Sequence, residues 1–106
     1  MSVNNVTDAG FKQEVLQSEK TVLVDFWAPW CGPCRAMSPV VDEVAEEIGA
    51  DAKVVKVNVD ESPQAAVQFG VTSIPSFVVI KDGNVQQQLV GAQSKQTLAD
   101  AVRQAI

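Results

Sequence analysis

The sequence of 106 residues contains no histidine and only two cysteines. Without imidazole there is no Ser-His-Asp or Cys-His nucleophilic site, and both the commonest zinc ligand and the usual proton shuttle near neutral pH are missing. Acid–base work must fall to carboxylates, lysines or thiols. Basic residues are scarce as well: 8 Lys and Arg stand against 13 Asp and Glu, a net charge of −5, and they are scattered singly. A nucleic-acid partner needs a clustered basic face, so that class drops out. Long apolar runs are also absent. Stretches such as Val22 to Val24 and Phe77 to Ile80 fall far short of the roughly 18 residues needed to cross a bilayer, so no membrane association is expected. Met1 to Gly10 has neither the cationic nor the apolar segment of a secretory signal, and the expected location is cytoplasmic.

What is present fits a chain that buries a core, with 46% apolar and 20% charged residues. Its length suits one domain spanning 1–106. The punctuation predicts the order β-α-β-α-β-α-β-β-α. A short strand near Val3 to Val6 leads to a helix capped by Thr7 or Asp8, with Phe11, Val15 and Leu16 at helical spacing. Thr21 to Trp27 is apolar on both faces, as a buried strand requires, except at Asp25. Met37, Val41, Val44 and Ile48 form the stripe of a helix beginning just past Pro33, and Pro39 is expected to kink it. Val54 to Val59 reads as a β-branched strand. Ser62 and Pro63 open a short helix that Gly70 closes, and Ser76 to Lys81 and Val85 to Val90 flank the hairpin sequence Asp82-Gly83-Asn84. Ser94 caps a last helix whose core face is Leu98, Val102, Ala105 and Ile106. Alternating strands and helices imply a largely parallel sheet covered on both sides, to which the final hairpin must add an antiparallel edge, with its site at the carboxyl ends of strands.

Both cysteines fall in Trp30-Cys31-Gly32-Pro33-Cys34, directly after the buried strand and at the start of the amphipathic helix. A helix start offers unpaired N–H groups and a partial positive charge, which favour a thiolate over a thiol and mark Cys31 as the nucleophile. The i, i+3 spacing brings Cys34 to the same side, within disulfide reach, as the resolving thiol. Pro33 fits the first turn, where its missing N–H costs nothing. A zinc site would lack its other usual ligands, haem attachment needs a histidine where Arg35 stands, and a disulfide closing so short a loop adds little stability. Redox chemistry is the strong reading. Arg35 itself reads as a solvated surface residue.

The block Val24-Asp25-Phe26-Trp27-Ala28-Pro29-Trp30-Cys31-Gly32-Pro33-Cys34 resembles the active-site segment of the thioredoxin family. The similarity continues at Pro39, at Lys56 within Lys-Val-Asn-Val-Asp, at Ile74-Pro75, at Asp82-Gly83 and at Val90-Gly91-Ala92, so it covers essentially the whole chain. It implies an α/β thioredoxin fold, a central mixed five-stranded β-sheet flanked by four α-helices. It also implies a general protein disulfide reductase: a monomeric thiol–disulfide oxidoreductase with no cofactor or metal of its own. Such a protein passes electrons to disulfide-containing targets and is recycled by a thioredoxin reductase dependent on NADPH or ferredoxin. Gly32-Pro33 favours reduction, because oxidases and isomerases of this type usually carry histidine between the cysteines. The rival from another class is a docking module whose thiols are idle.

The resemblance assigns roles that the residues alone leave open. A carboxylate in an apolar run must raise its pKa or find a partner; by similarity, Asp25 accepts and donates the Cys34 proton, through a water. Alternation sets Lys56 on the face of Val54 and Asn58, where it reads alone as a solvated edge lysine; by similarity its ammonium pairs with Asp25. The Ile74-Pro75 bond would be trans on sequence grounds, since only about 5–6% of such bonds are cis. The resemblance implies a cis bond facing the disulfide, with Ser73 and Ile74 free to pair with an extended substrate segment. It further implies an exposed docking surface of Trp30, Gly32, Pro33, Val59, Ile74, Pro75, Val90, Gly91 and Ala92, with Asp60 accepting from the indole of Trp27 or Trp30.

Overall fold

Residues 3–106 are described by the computed structural model. Short β1 (Asn4–Asn5) leads into α1 (Asp8–Phe11), which widens into a π-helical turn over Lys12–Leu16. Then follow β2 (Thr21–Trp27), α2 (Gly32–Ile48), a 3₁₀ turn at Gly49–Asp51, β3 (Ala52–Asn58), α3 (Pro63–Gln68), β4 (Ser76–Lys81), β5 (Asn84–Val90) and α4 (Lys95–Gln104). The strands lie in the order β1-β3-β2-β4-β5, which sets β2 at the centre. The expected element order and mixed sheet are present.

The sheet is less parallel than alternation alone suggests. β3 pairs parallel with β1 and β2, whereas β4 is antiparallel to β2 and β5 to β4. The reason is the length of the connections. A helix the length of α2 spans about 25 Å at 1.5 Å per residue and returns the chain to the far end of the sheet. The six residues of α3 span only about 9 Å. The chain therefore stays at the end where β3 finished, and β4 starts there running the other way.

Both faces of β2 are covered. Leu23, with Val54, Phe77 and Val79, packs under Met37, Val41, Val44 and Ile48 of α2 and Leu98 and Val102 of α4. Val22, Val24 and Phe26, with Val55, Val57, Val78 and Ile80, pack against Phe11, Val15, Ala65 and Ala66 on the other side. Phe26 and Leu23 are fully buried, and each such side chain contributes about 1.5–3 kcal/mol of burial free energy. A central strand locked on two faces is a rigid mount for whatever follows its last residue. Among the described residues, no helix is long and apolar enough to cross a membrane.

Local structure departs from the sequence reading in four places. Thr7 stands at the N-cap of α1, but its side chain makes no capping bond there. Ile106 lies past the end of α4 and is 54% exposed, so only Ala105 of the two terminal apolar residues joins the core. Ser62 makes no capping bond to α3; its hydroxyl accepts from the Asp8 N–H instead. The Asp8 carboxylate does the capping, accepting from the Gln64 and Ala65 N–H groups at 3.1 and 2.9 Å. The hairpin turn is only Asp82-Gly83, both at positive φ, as a two-residue turn matched to strand twist requires. Ser94 caps α4 as expected, accepting from the Thr97 N–H. Pro39 lies within α2, which continues helical through it.

Candidate active site

β2 ends at Trp27, and the chain turns through Ala28, Pro29 and Trp30, with the Cys31 N–H donating to the Ala28 carbonyl at 3.1 Å. Cys31 is the N-cap of α2. Its backbone is still extended, and its Sγ takes the place of a capping oxygen, accepting from the Cys34 N–H at 3.2 Å. Pro33 occupies the first turn without disturbing this, since it has no donor to satisfy. Cys31 and Cys34 form a disulfide, their Cα atoms 5.2 Å apart. Both are buried, at 5% and 3% exposure, while Trp30, Gly32 and Pro33 around them are exposed. A charge developing on Cys31 Sγ would therefore meet a fixed N–H and the positive end of a 17-residue helix at a site largely shielded from water.

Behind the disulfide lies a cavity of about 150 Å³ lined by Asp25, Trp27, Cys34, Arg35, Ser38 and Lys56. Asp25 is 2% exposed, and its Oδ1 and the Trp27 Nε1 are buried polar atoms without a hydrogen-bond partner among the described residues. Burial raises the Asp25 pKa to about 7; the Lys56 charge pulls it down and the Asp42 charge pushes it further up. Lys56 is the register partner of Asp25 across the parallel β2–β3 pair. Its ammonium nonetheless donates to Ser38 Oγ, at 2.7 Å, and acts on Asp25 through space. A larger hollow of about 390 Å³ lies at the opposite end of the strands, between Asn4, Ser18 to Lys20 and Ala52 to Val54, far from the cysteines.

Around the mouth of the site, three chain segments converge. The Ile74-Pro75 peptide bond is cis, and the Ile74 carbonyl oxygen is 3.9 Å from Cys31 Sγ. The Gly91 N–H donates to the Pro75 carbonyl at 2.8 Å, and the Val59 N–H to the Trp27 carbonyl at 2.9 Å, which ties the ends of β5 and β3 to the same rim. The indole that meets Asp60 is that of Trp30, donating to Oδ2 at 2.9 Å while the ring stays 67% exposed. Ser73, Val90 and Ala92 are exposed, and Val59, Ile74 and Gly91 are half-buried. Pro75 is buried and adds little exposed surface to the rim. Arg35 is exposed but not free: its Nη1 donates to the Pro29 carbonyl at 3.0 Å, and it walls the cavity. Sequence reasoning missed Ser38, although its position four residues after Cys34 on one helix face was available as a clue.

Comparison with known proteins agrees with this geometry. The thioredoxin family model matches residues 2–104. The chain is 53% identical over 106 residues to a thioredoxin of Pyropia yezoensis, covering 100% of this chain and 99% of that one. It is 58% identical over 97 residues to thioredoxin 1 of Synechococcus elongatus, covering 92% and 91% of the two chains. Against a thioredoxin of Rickettsia felis it is 45% identical over 103 residues, covering 97% and 98%. With a match running nearly end to end and a cysteine pair bonded at the mouth of α2, the chain belongs to the thioredoxin family, a thiol–disulfide oxidoreductase that reduces protein disulfides through Cys31 and Cys34 and is recharged by a reductase partner.

Proposed function

We propose that the protein is a monomeric cytoplasmic electron carrier, with a single thioredoxin domain over 1–106, in which Cys31 attacks, Cys34 resolves, and Asp25 handles the Cys34 proton. In the reduced protein the Cys31 thiolate attacks one sulfur of a substrate disulfide. A Cys31–substrate disulfide forms, the substrate S–S bond breaks, and the departing sulfur takes a proton from solvent. The Asp25 carboxylate then accepts the Cys34 proton, and the Cys34 thiolate attacks Cys31 Sγ. The mixed disulfide breaks, the second substrate sulfur leaves and is protonated, and the protein is left with the Cys31–Cys34 disulfide. Two electrons have passed to the substrate. The reductase, drawing on NADPH or ferredoxin, restores both thiols.

The observation that carries this reading is the Cys34 N–H aimed at Cys31 Sγ from the first turn of α2. That donor is worth most when the sulfur is anionic, because a hydrogen bond to a charged acceptor is about twice as strong as a neutral one. The cavity joining Cys34 to the Asp25 carboxyl supports the proton route, having volume for a few water molecules. A carboxyl with a pKa of about 7 takes and returns a proton near neutral pH with little cost either way. Lys56 moderates that pKa. Strand addition at Ser73 and Ile74 is supported by the Ile74 N–H, which meets no protein acceptor among the described residues. Trp30, Gly32, Pro33, Val59, Val90, Gly91 and Ala92 form the rim that meets the target.

The test is coupled reduction of a model protein disulfide with purified reductases of both kinds. Turnover with either is expected, and the reductase that supports it identifies the electron donor. Absence of turnover with both, together with full cellular function of a Cys31→Ser/Cys34→Ser double variant, would favour the docking-module reading. Sedimentation at micromolar concentration checks the monomer.

A further inference from the structure

We propose that Ser38 is a positioning residue that holds the Lys56 ammonium away from the Asp25 carboxylate and so leaves that carboxylate free to exchange protons with Cys34. The inference rests on the reading that Asp25 handles the Cys34 proton. Strand register makes Asp25 and Lys56 cross-strand neighbours on one face. Opposite charges so placed in a poorly hydrated site ordinarily close into contact, since the buried carboxylate gains a donor and the ammonium an acceptor. Here they do not. The ammonium is bound to Ser38 Oγ at 2.7 Å, and Asp25 Oδ1 is left without a partner among the described residues. Ser38 is one helical turn beyond Cys34 and lines the same cavity, so one face of α2 carries both the thiol to be deprotonated and the hydroxyl that restrains the competing cation.

The arrangement matters because a contact ion pair would favour the ionised carboxylate and make its proton harder to hold. The charged and titratable groups around Asp25 are Lys56 from β3 and Cys34, Arg35 and Asp42 from α2; β4 presents Phe77 opposite it. Of the two cations, Arg35 is held by the Pro29 carbonyl, whereas Lys56 is the register partner of Asp25 and the cation whose charge acts on it. Ser38→Ala removes the acceptor that occupies the ammonium and leaves the unpartnered Oδ1, which belongs to the same cavity, as an acceptor for it. Ser38→Thr keeps the hydroxyl at the same point of the chain.

The experiment titrates the Asp25 side-chain carboxyl by carbon NMR in the oxidised protein, its resonance assigned by loss in Asp25→Asn. In parallel, the pH profile of protein-disulfide reduction is recorded for Ser38→Ala, Ser38→Thr and Asp25→Asn. For Ser38→Ala the midpoint should fall by about one pH unit, a tenfold loss of proton affinity at the low end of what contact with an opposite charge produces. The pH–rate profile should move with it, and Ser38→Thr should restore both. A midpoint that stays put or rises in Ser38→Ala, or that falls equally in Ser38→Thr, overturns the role given to Ser38. An Asp25→Asn variant with the wild-type rate and profile would instead remove Asp25 from the chemistry, and the role of Ser38 with it.

Discussion

Replacing Asp25 with asparagine should stabilise the protein, and only above a certain pH. The carboxyl is 2% exposed, and its pKa is raised from 3.8 to about 7, chiefly by desolvation. The folded protein therefore holds this proton more tightly than the unfolded chain does. The contribution is fully present below the unfolded pKa and is lost as the pH rises through the folded one. A shift of about 3 units at 1.36 kcal/mol each makes the ionised carboxylate cost roughly 4 kcal/mol at pH 8. Asparagine has nearly the same shape and no proton to lose. Guanidinium unfolding of the oxidised proteins should give nearly coincident curves at pH 4, a gap opening between pH 4 and 7, and a plateau above. With a slope of roughly 2–6 kcal/mol/M, the midpoint at pH 8 should rise by on the order of 1 M. An equal gain at pH 4 and pH 8, or a loss at pH 8, would refute the reasoning, because burial of an unpaired charge would then not be what Asp25 costs.

The cysteines should behave unequally: Cys31→Ser should abolish disulfide reduction, whereas Cys34→Ser should trap targets as mixed disulfides visible on non-reducing gels. Equal trapping by both would reverse or dissolve the assigned roles. Asp8→Ala removes the two bonds that close the N-terminus of α3 and should cost about 1–2 kcal/mol. In calorimetry that is a fall in Tm of several degrees, with activity retained. Gly83→Ala should also destabilise, by about 1–2 kcal/mol for an L side chain in the left-handed region, plus strain. Its φ is +78° and the new Cβ would sit 3.1 Å from the Leu16 carbonyl oxygen. Unchanged denaturation midpoints would contradict that.

The chemistry was largely legible in the sequence because it is local. Cys31, Cys34 and Pro33 lie within one turn of each other, so their geometry follows from helix spacing alone, and the buried strand before them announced itself by being apolar on both faces. Relations across strands were harder. That Lys56 stands beside Asp25 depends on the register of β2 against β3, which alternation does not fix; it gives a face but not a neighbour. Ser62 and Asp8 show the same limit in another form. Ser62-Pro63 looks like a helix start and is one, yet the capping acceptor comes from Asp8, distant in the chain. The cis bond before Pro75 and the choice of Trp30 over Trp27 as partner of Asp60 are likewise settled by what surrounds them. The reversed direction of β4 follows from the shortness of α3, a length the sequence displayed but whose consequence needs the whole sheet.

The most direct measurement is the pH dependence of alkylation of Cys31 in the reduced protein, with Cys34 replaced by serine so that one thiol reports. Held at the start of α2, the Cys31 thiol should ionise with a midpoint clearly below the roughly 8.5 of free cysteine. In urea-unfolded protein the midpoint should return to that value. A folded-state midpoint at or above the unfolded one would contradict the claim that the helix terminus is what makes this sulfur a nucleophile.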